Sequence, residues 1–270
     1  MELRTRLANA ALKALLYEVD VQPKPGLVDP VDHSTHLDMD VFTFIDSAVS
    51  LQPYFEQFAQ AGIDFVGDDL TKLFHEIRPI GMEAEKVMFE ATGGVNTHKG
   101  AIFSLGILLA ASGYDQQAIR QTTERMLRGL TEHDFKDLDK KKQLTNGERM
   151  FLKYGITGIR GEAERGYPTV FEKSLPYLKA HFGNDFGTVL LDTLMVIVSE
   201  SYDSNVVKRG NLESLENIQK YAENILAEGG CSHPEGRETL DDMNSYCNEN
   251  NLSLGGSADL LIITIFLFLI

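Results

Sequence analysis

The sequence predicts an all-α protein, a single-domain multi-helix bundle spanning 1–270 with its site at helix ends and glycine-rich connectors. Apolar residues recur at intervals of three and four through almost every segment, the pattern of a helix that buries one face. No stretch alternates convincingly, and no hairpin signal, internal repeat or low-complexity linker is present. Glycines and prolines gather between the periodic segments instead of within them.

Taken in order, Leu3, Leu7, Ala10, Ala11 and Leu15 make one apolar face of a first helix ending near Val19. A second runs from about Asp38 through Phe42, Ile45, Val49 and Leu51, and a further segment starts at about Pro53, where proline should break the helix. The remaining helices are expected near 69–91, 97–112, 115–130, 168–182, 185–201, 211–228, 235–249 and 257–269. "VLLDTLMVIVS" is apolar nearly all round and is expected at the centre of the bundle, with Asp192 as a buried, hydrogen-bonded carboxylate. The last run, "LLIITIFLFLI", has eleven residues against the ~20 that a bilayer span needs, and reads as a buried terminal helix.

A net charge of −15 argues against a nucleic-acid binder, which requires a broad basic surface. It leaves room for small anions held by a few cations in a cleft. Cys231 and Cys247 match no zinc spacing and, with no signal peptide ahead of them, are expected to be free cytosolic thiols.

Six stretches carry polar groups suited to a ligand, five of them connectors that combine glycine with charges and amides. In "GGVNTHKG" (93–100), Gly93 and Gly94 would let backbone approach a ligand, and Asn96 or Thr97 could cap the following helix. Amides at such a start attract phosphate, and His98 and Lys99 add a donor and a charge. A capped helix with two solvated polar residues is the simpler alternative. In "PKPGLVD" (23–29), Lys24 lies between two prolines on a stiff turn, suited either to an anion or to a helix stop. "DPVDHSTHLDMD" gathers Asp29, Asp32, His33, His36, Asp38 and Asp40, which is either a site for a hard cation such as Mg²⁺ or a solvated acidic loop. "GIRGEAERGYP" offers Arg160, Glu162 and Arg165, and "DSNVVKRG" offers Asp203, Asn205 and Arg209. "SLGGSADLL" places Gly255 and Gly256 before a helix capped by Ser257, with Asp259 in the first turn, where the helix dipole is reason enough for it.

Together these motifs resemble the triphosphoribosyl-dephospho-coenzyme A synthases of citrate lyase and malonate decarboxylase systems. The resemblance runs nearly end to end, and "GVNTHKGAIF" is its most specific element. Two positions depart from the family pattern: Leu254 stands in place of a proline before Gly255-Gly256, and Asn146 stands where a histidine is common.

The resemblance implies a reaction. The 2′-hydroxyl of 3′-dephospho-CoA attacks the ribose anomeric carbon of ATP, adenine leaves, and the triphosphate is retained. The product is the prosthetic-group precursor of an acyl-carrier subunit, to be loaded by a separate downstream transferase. Both substrates are polyanions, so Lys24, Lys99, Arg160 and Arg209, with Arg165, Asn205 and the glycine and hydroxyl positions above, are expected to hold them. Mg²⁺ is expected on Asp29 and Asp38. Glu162 or Asp203 is the expected carboxylate at an oxocarbenium-like centre, and Asn96 or His98 the donor to the departing adenine. The expected setting is the cytoplasm, without a membrane or nucleic acid; two other readings are a nucleotide glycohydrolase and a non-catalytic nucleotide sensor.

Overall fold

The computed structural model describes the backbone of residues 1–270 and every side chain except that of Asn146, which lies outside the described residues. No strand is present among the described residues; the single isolated bridge joins Phe182 and Asn184.

The first half is built from α1 (Leu3–Asp20), α2 (Val41–Asp64), α3 (Leu70–Ala91) and α4 (Lys99–Tyr114). Helix α2 runs unbroken through Pro53, and α3 through Pro79, so the expected break at Pro53 does not occur. Pro53 is exposed, while Leu51 and Phe55 on either side anchor the helix in the core. Their packing outweighs the ~3 kcal/mol that an interior proline costs. Asp40 starts α2 with a capping box: its carboxylate accepts from the Thr43 amide at 2.8 Å, and the Thr43 hydroxyl lies at the Asp40 amide.

The next stretch is broken into α5 (Ile119–Met126), α6 (Leu130–Asp134), α7 (Asn146–Tyr154) and α8 (Gly158–Glu164). A π-helical segment at Thr169–Ser174 runs directly into α9 (Leu175–His181). Then come α10 (Phe186–Glu200), α11 (Ser204–Arg209), α12 (Leu212–Ala227), α13 (Pro234–Glu249) and α14 (Gly255–Leu269).

The centre is held by α4 and α14, a correction to the expectation for α10. Helix α4 packs against α1, α2, α3 and α14, and buries every residue from Leu105 to Ser112. Close packing explains its small residues. A Cβ on Gly62 of α2 would stand 2.0 Å from the Ala110 carbonyl of α4, so the two backbones touch there. Helix α14 is likewise buried almost all round, and no helix is long and apolar enough to cross a membrane. Helix α10 organises the C-terminal half, where Asp192 accepts from the Cys231 amide at 2.7 Å. Both cysteines are free and buried.

Candidate active site

Two cavities adjoin where α4, α11 and α14 all begin. The smaller, of about 370 Å³, opens between the loop after α1 and these helix starts. The larger, of about 1170 Å³, lies between the same starts and the α7–α8 region. Asn96, Lys99, Gly100, Asn205 and Asp259 line both. The bundle thus presents two connected compartments with a common polar wall.

The smaller cavity receives Asp38, Asn96, Thr97, His98, Lys99, Asn205, Arg209 and Gly255 of the expected residues. His98 is buried and held from three sides. Phe44 packs edge-on at 5.1 Å, the Met88 sulfur accepts the His98 amide, and the Ser47 hydroxyl lies 2.7 Å from Nδ1. The Thr97 hydroxyl donates to Ser47 at 2.8 Å. Accepting from Thr97 leaves the Ser47 proton free for Nδ1, which is the acceptor in the Nε2–H tautomer. Burial, with the Lys24 charge adding to it, pushes the His98 pKa down to about 3, so the ring is neutral, and in that tautomer its proton sits on Nε2. Nε2 has no partner among the described residues and is a buried N–H donor at the cavity wall.

Arg209 donates to Thr35 at 2.9 Å and faces His36 Nδ1, tying the acidic loop to the wall. Burial and then the Arg209 charge lower the His36 pKa, which leaves that ring neutral and able to accept. Lys99 reaches Glu85 at 2.6 Å with its side chain half-exposed, a pair that an incoming anion can exchange at small cost.

The larger cavity receives Arg160, Glu162, Arg165, Asp203 and Gly256. Arg160 pairs with Asp134 at 2.7 Å, and Arg165 faces Glu162 at 3.4 Å. Glu162 also accepts the Thr169 amide at 2.8 Å, at the start of the π-helical turn that follows. Arg149, Ile156 and Ile159, given no role from sequence, complete this wall with both charge and apolar surface.

Asp203 proves to be a double cap. One carboxylate oxygen accepts the Asn205 amide at 2.9 Å at the start of α11; the other accepts the Ser257 amide at 2.8 Å and hydroxyl at 3.0 Å at the start of α14. A Cβ on Gly256 would lie 2.8 Å from this carboxylate, so the glycine makes room for it. Ser257 is therefore capped by Asp203, and α14 starts two residues earlier than expected from sequence. Burial raises the Asp203 pKa, against its hydrogen bonds.

Five expected site residues line neither cavity. Gly93 and Gly94 have positive φ and end α3, with the Gly94 amide on the Phe89 carbonyl at 2.7 Å. Lys24 turns inward from its stiff turn, and its ammonium lies 2.6 Å from both the Glu18 carboxylate and the Glu18 carbonyl. The prolines present that lysine to the core, not to solvent. Ser257 lies beneath the wall on Asp203. Asp29 accepts the Lys24 amide on one oxygen and the Val31 and Asp32 amides on the other, so it shapes the loop from a buried position and faces neither cavity. Among the described residues no group of three or more His, Cys, Asp or Glu is placed to hold a metal ion.

Sequence reasoning passed over Glu18 and Asp259. Asp259 had a sufficient local explanation in the helix dipole, Glu18 carried no motif, and only the fold brings them to the cavities. Leu254 is fully buried, and its side chain occupies the space beside Gly26. Asn146, whose side chain is outside the described residues, receives no role.

An all-helical chain with two joined, cation-bearing cavities around three helix starts has the architecture of an enzyme that brings two phosphorylated substrates together. The chain matches the CitG family, ATP:dephospho-CoA triphosphoribosyl transferase, over residues 4–270. It is 50% identical over 268 residues to the "Probable 2-(5''-triphosphoribosyl)-3'-dephosphocoenzyme-A synthase" of Lactiplantibacillus plantarum, covering 97% of this chain and 95% of that protein. It is 43% identical over 273 residues to the protein of the same name from Citrobacter koseri, covering 96% of this chain and 89% of the other. Over 275 residues it is 45% identical to "Protein CitXG" of Leuconostoc mesenteroides subsp. cremoris, covering 98% of this chain and 59% of that longer protein. No solved structure matches. The chain belongs to the ATP:dephospho-CoA triphosphoribosyl transferase family.

Proposed function

We propose that the two cavities hold the two substrates of a triphosphoribosyl transfer, ATP in the smaller and 3′-dephospho-CoA in the larger. The observation that carries this is the shared wall: a bisubstrate displacement needs two sites that meet at one reacting centre, and the cavities meet at Asn96, Lys99, Gly100, Asn205 and Asp259. The larger cavity suits the longer substrate, with Arg149, Arg160 and Arg165 for its phosphates and Ile156 and Ile159 for its pantetheine arm. Lys99, Lys208 and Arg209 face the triphosphate, whose charge a protein of net −15 must neutralise locally.

The neutral His98 donates through Nε2 to a ring nitrogen of the adenine, stabilising the negative charge that the base acquires as it leaves. Asn96 offers a second donor from the shared wall. Mg²⁺ commonly binds through one or two carboxylates together with substrate phosphates. Asp38, exposed in the smaller cavity, fits that arrangement, whereas Asp29 does not. Such an ion would supply charge neutralisation on the triphosphate. The product is the substrate of a transferase that loads a carrier protein, and the reaction belongs in the cytoplasm, where ATP and dephospho-CoA occur together.

Incubation with ATP, Mg²⁺ and 3′-dephospho-CoA, followed by chromatography and mass spectrometry, tests this. The expected result is adenine released one-for-one with a triphosphoribosylated acceptor. Adenine formed equally well without acceptor would mean transfer to water instead.

A further inference from the structure

Asp259 occupies the one stretch of wall where proton transfer between substrates is needed. It is the only carboxylate among the described residues that borders both cavities. Its side chain lies flat against the first turn of α4: a Cβ on Gly100 would stand 2.0 Å from Oδ2, so glycine is required there for the carboxylate to fit. The Ala101 backbone donates to it, and among the described residues no side chain does. Asp38 lines only the smaller cavity, and the remaining carboxylates of the walls are engaged. Asp203 caps two helices, Glu162 accepts the Thr169 amide and faces Arg165, and Glu18 holds Lys24.

We infer that Asp259 is the general base of the transfer, accepting the proton of the attacking 2′-hydroxyl. This rests on the proposed two-substrate reading of the cavities. In the step, the acceptor oxygen forms a bond to C1′ of the ATP ribose as the bond from C1′ to adenine N9 breaks, and that bonding pair leaves with the adenine. The hydroxyl proton passes to Asp259 and then to solvent, and the adenine takes one proton from solvent. The carboxylate ends the turnover as it began.

The electrostatics agree with this role. Burial, then the negative charges of Asp203 at α11 and Glu18 on α1, raise the Asp259 pKa well above the ordinary carboxylate range, which strengthens it as a base. The Tyr167 hydroxyl, which also feels the Asp259 charge, is buried and neutral, and the Lys99 ammonium on the same wall is paired with Glu85. Lys24 is paired with Glu18, and His98 is uncharged. Ionising a carboxyl buried among like charges weakens the fold, an arrangement kept where function demands it.

The test compares wild type with Asp259→Asn and Asp259→Glu. We would measure adenine release with and without 3′-dephospho-CoA, ATP binding and thermal unfolding. The expected result for Asp259→Asn is a fall in kcat of ~10²–10⁴-fold, with ATP binding retained and a Tm equal to or above wild type. Asp259→Glu should keep partial turnover and the acid limb of the pH–rate profile. An active wild type with an Asn variant of near-normal kcat overturns the assignment alone. So does an Asn variant that loses turnover together with ATP binding or Tm, since that marks a structural residue. A wild type that releases no adenine overturns the two-substrate reading, and the assignment with it.

Discussion

Replacing Asp203 by alanine separates a structural carboxylate from a catalytic one. The side chain makes three hydrogen bonds at 2.8–3.0 Å, to the first turns of α11 and α14. Bonds to a charged acceptor contribute ~1.5–3 kcal/mol each, but burial raises the Asp203 pKa, and that desolvation offsets part of the gain. The unpaired Ser257 amide and hydroxyl would remain buried, so the net loss should be about 3 kcal/mol. For a chain of this size each kcal/mol moves Tm by ~2–4 °C, which gives a fall of about 6–12 °C in a circular-dichroism melt. Asp203→Asn keeps one acceptor oxygen and should lose about half as much. Activity should fall with both variants, because Asn205, Gly255 and Gly256 move with the helix starts, and saturating ATP should recover part of the lost Tm. A Tm within about 2 °C of wild type, together with abolished turnover, would refute the capping argument and return Asp203 to the reaction.

A second prediction concerns pH. Because the folded-state pKa of Asp259 is raised, its stabilising effect is complete below the unfolded value and is lost as pH rises through the folded one. The stability advantage of Asp259→Asn over wild type should therefore be smallest near pH 4 and grow toward neutrality in denaturant titrations; a difference constant with pH would contradict it. Lys24→Met leaves the buried Glu18 carboxylate without its partner at 2.6 Å and should cost ~3–5 kcal/mol, whereas adding Glu18→Leu should recover most of the stability. His98→Gln keeps an N–H donor near the position of Nε2 and should retain more kcat than His98→Ala. Neither variant should move the acid limb of the pH–rate profile, because the His98 pKa of about 3 lies outside the working range.

The helices and the motif set were legible in the sequence because both depend on short-range chemistry. Periodicity marks a buried face within one helix: α1, α3, α12, α13 and α14 fall within about two residues of their expected bounds. Glycine density likewise marked the connectors around the cavities. What the sequence could not distribute is which polar residue of a motif faces the ligand and which holds the fold. Lys24, Asp29 and Asp203 have the composition of a binding site, yet their partners are Glu18, loop amides and the start of α14. Asp259 has the composition of an ordinary first-turn carboxylate, yet it lies across Gly100 at the meeting of two cavities. Local spacing set the helices, while the crossing of α4 and α14 decided the site. Gly100 and Asp259, distant in the chain, meet only when two buried helix starts are packed side by side, and that packing is driven by apolar faces that say nothing of the polar groups they bring together.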